Sequence, residues 1–260
     1  MERKTAQTLV VAGAGLFLAI SLLVGAGLFD EPDLIVDRFV VANFGESQER
    51  AWRWFSSPGD ETMAVAATVF GALFCWRVGA RRSAVILVAV SLSGGLLVDG
   101  FKGAYGRPYP ADGEYVVDGI AAGDNETILG DTETGRGILV NETDGRTRLG
   151  NLSFRPADLS RFPDEPSRAY PSGHTMGATV SWGLAILMGV RAVQRRNRLD
   201  PVAVGVALGI AIMVGISRVH LRAHWISDVL GSWGLGAALI GIAFLLDDAL
   251  RSRWPDREPA

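Results

Sequence analysis

The chain has 260 residues, of which 48% are hydrophobic, and a formal net charge of -3 at pH 7. That hydrophobic share is compatible with either a soluble or a membrane protein, so the distribution of apolar residues along the chain is the informative feature. Cys75 is the single cysteine, which excludes an internal disulfide and a metal site built from cysteines.

Long apolar blocks alternate with short charged segments and predict six membrane-spanning helices. The first block, residues 8–29, has twenty-two residues without a charge. It is long enough to cross a bilayer and longer than the apolar core of a cleaved signal peptide. The other blocks are shorter and rich in glycine, so their helices are expected to extend beyond the uncharged residues: 62–76, 83–98, 175–190, 202–216 and 229–246. A soluble bundle with buried helices is the alternative, which six such blocks disfavour.

The basic residues predict the orientation in the membrane. They cluster before the first block, between the second and third, between the fourth and fifth, and after the sixth, as in Arg81-Arg82 and Arg195-Arg196. The connections 30–61 and 99–174 have more acidic than basic residues. Because an excess of Lys and Arg in short loops marks the cytoplasmic side, both termini are predicted to be cytoplasmic, with three connections outside.

Both long outer connections have a distinctive composition. Residues 50–55, RAWRWF, favour the membrane surface because tryptophan prefers the boundary between lipid and water. Residues 111–168 alternate short β-favouring runs with turn signals such as Asp144-Gly145, which predicts a small β-hairpin-like insertion between the third and fourth spans. Tripeptides of the N-glycosylation type at Asn125, Asn141 and Asn151 agree with an outer position. Residues 1–260 are therefore interpreted as one membrane domain, with 111–168 inserted as a cap.

Three polar clusters lie at the predicted outer ends of the spans. The first, DGFKGAYGRPYP at 99–110, contains Lys102, one of two lysines in a chain with 23 arginines. The second, YPSGHTMG at 170–177, contains His174, and the third, SRVHLRAHWISD at 217–228, contains the other two histidines. A lysine flanking a span is ordinary by itself, but three such clusters on one face predict a shared site.

The third cluster leaves two interpretations open. His220, His224 and Asp228 are spaced by four residues, as ligands on a zinc-binding helix are. Arg218 would then lie close to the cation, and the short turn between two spans does not favour one continuous helix. A metal would also not explain why Lys102 and PSGH share this face. Without a metal, Asp228 can fix the tautomer of His224, and His220 has at most a supporting role.

These clusters resemble the signature motifs of the type 2 phosphatidic acid phosphatase superfamily, which includes lipid phosphate phosphatases and polyprenyl diphosphatases. The second motif, PSGH, matches residues 171–174, and the resemblance covers roughly residues 60–245. The third motif, Ser-Arg-x5-His-x3-Asp, is matched at its four defined positions by Ser217, Arg218, His224 and Asp228. The first motif departs from the family pattern of a lysine, six residues and Arg-Pro. Tyr109-Pro110 stands where that pair is expected, and Arg107-Pro108 comes two residues early.

The resemblance implies a metal-independent reaction with a phosphohistidine intermediate. His224 would attack phosphorus, Asp228 would orient it, and His174 would protonate the leaving group and later assist water. The residues implied to bind phosphate are Lys102, Arg107, Ser172, Gly173 and Arg218. Guanidinium groups and a helix start with glycine both suit an anion. Either Arg107 reaches the phosphate from a shifted loop, or this contact is weakened.

The prediction is therefore an all-α, multi-pass cell-membrane phosphatase whose site faces the extracytoplasmic side. Its expected substrate is a lipid phosphate or polyprenyl diphosphate, held among membrane lipids. No cofactor, metal or nucleic acid is expected, and no oligomeric state is predicted. One alternative is a non-catalytic lipid-phosphate binding or transport protein on the same scaffold, which the altered first motif favours. The other is a metal-dependent hydrolase that uses His220, His224 and Asp228.

Overall fold

The protein is mainly helical in the residues that the computed structural model describes. These are 2–44, 46–110, 114–117, 120–121, 126–131, 136–141, 147–155, 168–194 and 199–255. The helices are, in chain order, α1 (Arg3–Gly25), α2 (Asp30–Asn43), α3 (Glu46–Ser56), α4 (Glu61–Arg77), α5 (Arg81–Tyr105), α6 (Gly173–Gln194), α7 (Pro201–His220) and α8 (Ile226–Leu250). A 3-10 turn, Ser57–Gly59, joins α3 to α4, and α6 widens into a π-helical turn at Ala178–Trp182.

Among the described helices, five are long and apolar enough to cross a membrane: α1, α5, α6, α7 and α8. The prediction of a helical membrane protein is confirmed in this form. Helix α4 coincides with the remaining predicted span, but it has 17 residues, which is at the short limit for crossing a bilayer. It packs along α5 and α6 and therefore belongs to the same bundle.

Helix α8 lies in the interior of the bundle, and α1 packs along it at backbone distance. Glycines permit this approach. A Cβ atom on Gly13 would lie 2.6 Å from the backbone nitrogen of Ala238 and 2.6 Å from the carbonyl oxygen of Gly234. Small residues at such a contact let two helices meet without side chains between them, which is how helices associate in membranes. The contact fixes the inner helix that begins at the site described below.

The described parts of the cap form an antiparallel sheet with the strand order β2-β1-β5-β4-β3. The strands are β1 (Glu114–Val117), β2 (Ile120–Ala121), β3 (Glu126–Asp131), β4 (Arg136–Asn141) and β5 (Thr147–Arg155). This sheet is larger than the hairpin-like insertion that the sequence predicted, because β5 pairs with β1 as well as with β4. Asp144-Gly145, Asn125 and Arg195-Arg196 lie outside the described residues.

The connection 30–61 also contains structure that the sequence did not predict, the two helices α2 and α3. On α2, Asp33 and Asp37 are buried, whereas Ile35 and Phe39 are exposed. This arrangement is the reverse of the usual pattern in a soluble protein. It is typical of a helix that has polar protein groups on one side and lipid on the other.

Candidate active site

The ends of four helices bring the predicted site residues together at one end of the bundle. Lys102 lies in the last turn of α5, and His174 in the first turn of α6. Arg218 lies in the last turn of α7, His224 follows that helix, and Asp228 lies in the first turn of α8. Residues 117 positions apart in the chain are therefore neighbours, as a hydrogen bond from Trp225 to the carbonyl oxygen of Pro108 illustrates.

His224 and Asp228 form a buried pair. The Nδ1 atom of His224 lies 3.3 Å from Oδ2 of Asp228, and the two side chains are 4% and 0% exposed. The same Oδ2 accepts a hydrogen bond of 2.9 Å from the backbone N–H of Trp225, which precedes α8. The carboxylate thus satisfies a donor that the helix start would leave unpaired. With the proton on Nδ1, the Nε2 atom of His224 retains its lone pair.

Burial lowers the pKa of His224, and the charges of Arg218 and Lys102 act in the same direction. The hydrogen bond and the negative charge of Asp228 oppose this change. Because the balance favours the neutral ring, His224 has the protonation state that a nucleophile requires.

Ser172 and Gly173 form the start of α6. The Ser172 hydroxyl oxygen accepts hydrogen bonds from the backbone N–H of Thr175 at 3.4 Å and from its hydroxyl at 3.0 Å. Ser172 is therefore a helix cap here. A Cβ atom on Gly173 would lie 3.7 Å from the Nζ atom of Lys102. Glycine thus leaves space between the ammonium group and the positive end of the helix dipole, which suits an anion.

Lys102 and Arg218 supply two cations to this space. They are close enough for their charges to repel, and Lys102 also senses the charge of Asp228. One Nη atom of Arg218 donates to the Ser56 hydroxyl at 2.9 Å. Its Nε atom is buried and has no hydrogen-bond partner in the described part of the chain. Like charges at a partly buried position, with a free donor, are typical of an anion-binding site.

His174 has a carboxylate partner that the sequence did not reveal. Its Nε2 atom lies 3.0 Å from Oδ1 of Asp60, the residue before α4. Gly59 permits this contact, since a Cβ atom there would lie 2.7 Å from the carbonyl oxygen of His174. The ring of His174 also senses the charges of Arg218 and His224. His174 therefore lies within electrostatic range of Arg218 and His224.

Arg107 lies at this end of the bundle, but its contacts differ from the predicted ones. Its Nη1 atom donates to Oδ1 of Asp228 at 3.0 Å and to the Ser227 hydroxyl at 2.6 Å. Its Nη2 atom donates to Oδ2 of Asp33 at 2.6 Å. Arg107 is thus engaged by the carboxylates of Asp33 and Asp228. Tyr109, which stands where the family motif has arginine, packs its ring edge-on against His224, with centroids 5.4 Å apart.

His220 does not join His224 and Asp228. Its ring stacks on Trp52 with centroids 3.9 Å apart, contacts Phe44 edge-on, and has Nδ1 at 3.1 Å from the carbonyl oxygen of Ile216. No group of three His, Cys, Asp or Glu side chains in the described residues is arranged to hold a metal. The metal interpretation therefore lacks its third ligand, and His220 instead connects α3 to the end of α7.

Four residues near the site were missed from the sequence: Asp33, Ser56, Asp60 and Ser227. Asp33 and Asp37 are spaced by one helical turn, a signal that could have identified α2. Asp60 precedes an apolar run, which is typical of a helix N-terminus. Neither pattern states which histidine or arginine the carboxylate contacts, because that depends on how the helices pack.

Comparisons with known proteins identify a family, a relative and a similar fold. A family model described as PAP2 superfamily matches residues 83–251. Phosphatidylglycerophosphatase B of Bacillus subtilis (strain 168) is 31% identical over 125 residues, which make up 46% of this chain and 62% of that protein. The crystal structure of a transmembrane PAP2 type phosphatidylglycerolphosphate phosphatase from Bacillus subtilis has a TM-score of 0.63 at 18% identity, and the match covers 95% of this chain and 99% of that one. At this identity the likeness supports the fold alone.

Proposed function

This chain belongs to the PAP2 superfamily, and from that premise we propose that it is a membrane lipid phosphatase that acts without a metal through a phosphohistidine intermediate. The observation that carries the proposal is the meeting of three features at one end of the bundle. These are the His224–Asp228 pair, the second histidine His174, and the two cations Lys102 and Arg218.

The first task is to hold the phosphate. A phosphomonoester carries about 1.5 to 2 negative charges at neutral pH. Lys102 and Arg218 neutralise this charge, and the backbone N–H groups at the start of α6 donate to the same oxygens. Gly173 provides the close approach to the backbone that this binding needs. Such preorganised donors stabilise the transition state more than the ground state when they match the charge that develops.

The second task is transfer to the enzyme. The Nε2 lone pair of His224 forms a bond to phosphorus while the bond from phosphorus to the lipid oxygen breaks. His174 gives its proton to that oxygen, so the lipid leaves as a neutral alcohol. The imidazolium character that develops on His224 is stabilised by the Nδ1–H contact with Asp228.

The third task is hydrolysis of the phosphohistidine. His174, now neutral, takes a proton from a water molecule as its oxygen attacks phosphorus. The N–P bond breaks, its electrons return to Nε2 of His224, and inorganic phosphate leaves. Asp60, at 3.0 Å from His174, positions the ring and favours its protonated form for the next cycle.

The lipid is proposed by analogy with the relatives. Both are named as phosphatidylglycerophosphate phosphatases, so this lipid is the first substrate to test, with phosphatidic acid and polyprenyl diphosphates next. The site lies at the ends of apolar helices, where a headgroup can enter while its tails remain between helices. The exposed Trp54 and Phe55 of α3 suit the same boundary.

The orientation is part of the proposal. In it α4 is the sixth span, both termini are cytoplasmic, and the site and the cap face the extracytoplasmic side. Two observations support it. The loops at the site end carry more acidic than basic residues, and Arg82 and Arg191 lie at the opposite end of α5 and α6.

The test is phosphate release by the purified chain in detergent, with EDTA present and absent. Release is expected from at least one of the three lipids, unchanged by EDTA, and reduced at least about 1,000-fold in His224→Ala. His220→Ala is the matched control and is expected to retain most of the activity. EDTA-sensitive release would favour a metal hydrolase. Tight lipid-phosphate binding without release would favour the non-catalytic binding protein, for which the altered first motif is the supporting observation.

A further inference from the structure

We propose that helix α2 braces the reacting pair: Asp33 holds Arg107, and Arg107 holds Asp228, so that the brace sets both the position and the electrostatic environment of the carboxylate that orients His224. This inference rests on the proposed function. It assigns Asp33, Arg107 and Ser227 as positioning residues and gives Arg107 a different role from that of a phosphate ligand.

The contacts form a continuous buried chain. Oδ1 of Asp33 accepts from the backbone N–H of Ser227 at 3.0 Å, and its Oδ2 accepts from the Ser227 hydroxyl at 2.6 Å. Arg107 donates to that same Oδ2, to the Ser227 hydroxyl oxygen and to Oδ1 of Asp228. Asp33 is 1% exposed and Arg107 is 12% exposed. With Trp225 and His224 on its other oxygen, Asp228 has donors on both oxygens and little freedom to rotate.

The charges of Asp33, Arg107 and Asp228 partly cancel. Burial raises the pKa of Asp33, while Arg107 and Ser227 oppose the shift. Burial alone would lower the pKa of Arg107, but Asp228 and Asp33 outweigh it and raise that pKa. One cation between two buried carboxylates leaves a net charge of one negative unit beside His224. The brace therefore limits how strongly Asp228 attracts a proton to the neighbouring imidazole.

The altered first motif agrees with this role. Helix α5 ends at Tyr105, its C-cap Gly106 has a left-handed φ of 54°, and Arg107 follows directly. Glycine adopts this backbone conformation at little cost. The family motif has its arginine two residues later, at position 109. In this chain Tyr109 occupies that position, and its ring packs against His224. Because Arg107 comes two residues before the motif position, it lies next to α2 and within reach of Asp33.

Helix α2 also supplies a matched control. Asp37, one turn after Asp33, pairs with Arg222 through contacts of 2.8 and 3.1 Å. Asp37 is buried like Asp33, and its pair also fastens α2 to the chain just before His224. Loss of Asp37 weakens the attachment of the helix in the same manner, but it removes a charge that is not bound to Arg107.

The experiment compares Arg107→Gln, Asp33→Asn and Asp37→Asn in the pH dependence of kcat/KM. Because His224 must be neutral to attack, the acidic limb of this profile reports its protonation. The other groups that face His224 are unchanged in all three variants: Asp228, Lys102, Tyr109, His174 and Arg218. Substrate ionisation is also the same throughout.

The two brace variants are expected to shift the acidic limb in opposite directions. Loss of the Arg107 cation lets Asp228 attract the proton more strongly, which moves the limb to higher pH by about half a unit or more. Loss of the Asp33 anion leaves the positive charge of Arg107 less compensated, which moves the acidic limb to lower pH by a similar amount. In both variants kcat is expected to fall roughly 10- to 100-fold, as it does when groups that orient a ligand are lost. The KM and the inhibition constant of inorganic phosphate are expected to change less than about twofold.

Asp37→Asn is expected to leave the acidic limb in place. Arg107→Lys keeps the positive charge but not the planar guanidinium group, so it is expected to shift the limb less than Arg107→Gln does. A rise in KM and in the phosphate inhibition constant of Arg107→Gln, with an unmoved limb, would make Arg107 a phosphate ligand and overturn the brace. Shifts of the acidic limb in the same direction in Arg107→Gln and Asp33→Asn would also overturn the brace. A general loosening of the fold would move the limb in the same direction in both variants, whereas the brace requires opposite directions.

A second measurement does not need turnover. The ¹⁵N resonances of the His224 ring, assigned by comparison with His224→Gln, report its titration directly in detergent. The same opposite shifts are expected in the folded variants, as judged by size-exclusion chromatography. If the wild-type chain hydrolyses no lipid phosphate, the proposed function fails while this titration still decides whether the brace exists.

Discussion

His174 and His224 each have an aspartate partner, but the two partners differ in burial. Asp228 is 0% exposed, whereas Asp60 is 50% exposed. A buried carboxylate with several donors holds its histidine in one orientation, as a nucleophile in line with phosphorus requires. A carboxylate in contact with water is more strongly screened but can exchange protons with solvent. That difference suits a residue that gives a proton to the leaving group and then takes one from water.

The role of Asp60 can be tested by Asp60→Asn. Without the negative charge, burial and the repulsion of Arg218 act on His174 without opposition from Asp60, so the ring loses its proton at lower pH. The alkaline limb of the kcat profile is expected to move to lower pH, and kcat to fall about tenfold or more, because a positioned proton donor contributes about 100- to 10,000-fold. Asp60→Glu is expected to recover part of the loss, with Glu61→Gln as the control for a neighbouring charge. An unchanged alkaline limb in Asp60→Asn would refute this role.

The sequence predicted which residues meet at this end of the bundle better than it predicted their partners. The PSGH motif and the spacing of Arg218, His224 and Asp228 indicated which side chains face one another, because chemistry restricts their types and order. The partners Asp60 and Asp33 come from helices without a motif, so only the packing of α4 and α2 against the site identifies them. The contacts of Arg107 could not be predicted either, because Lys102-x4-Arg-Pro does not match the spacing of the family motif.

The helix elements are held together by close contacts that small residues permit, and α1 with α8 is the clearest case. Gly13→Ala is expected to force these helices apart, since its Cβ would lie 2.6 Å from backbone atoms that cannot rotate away. Overpacking of this kind costs about 1–3 kcal/mol of unfolding free energy, so the thermal unfolding midpoint in detergent should fall. Gly15→Ala, on the same helix with no atom within 4 Å, is expected to leave it unchanged or raise it slightly. An equal effect of both substitutions would show that the contact is not close.

The elements also show which parts of a membrane fold are visible in a sequence. The apolar blocks of the sequence predicted helices α1 and α5 to α8, because a helix that crosses lipid needs a long run of uncharged residues. Helices α2 and α3 have only 14 and 11 residues and no such run, and their charged residues resembled those of a loop. The cap strands follow a weaker alternation, and which strand pairs with β5 depends on tertiary contacts.

The whole molecule has two charged ends with different degrees of compensation. At the end opposite the site, Arg82 lies 2.9 Å from Asp247, and Arg191 lies 2.8 Å from Asp248. At the site end, Arg107 is paired with Asp33 and Asp228. Lys102 and Arg218 have no direct ion pair among the described residues, although Lys102 senses the charges of Asp99 and Asp228, and Arg218 senses that of Asp60. Ion-paired charges fix helix ends, whereas cations without a direct ion pair in a partly buried space attract an anion. The bundle thus has one end fixed by ion pairs and another end that suits an anion, and α8 contributes Asp247 to the first and Asp228 to the second.

His224 is expected to carry the phosphoryl group between the two halves of the reaction, and rapid quenching with a ³²P-labelled lipid phosphate tests this most directly. Protein-bound label that is stable in alkali and labile in acid should accumulate on the wild-type chain and on His220→Ala, and be absent from His224→Ala. Hydrolysis by the wild-type chain without any such label, or label that persists in His224→Ala, would contradict the account.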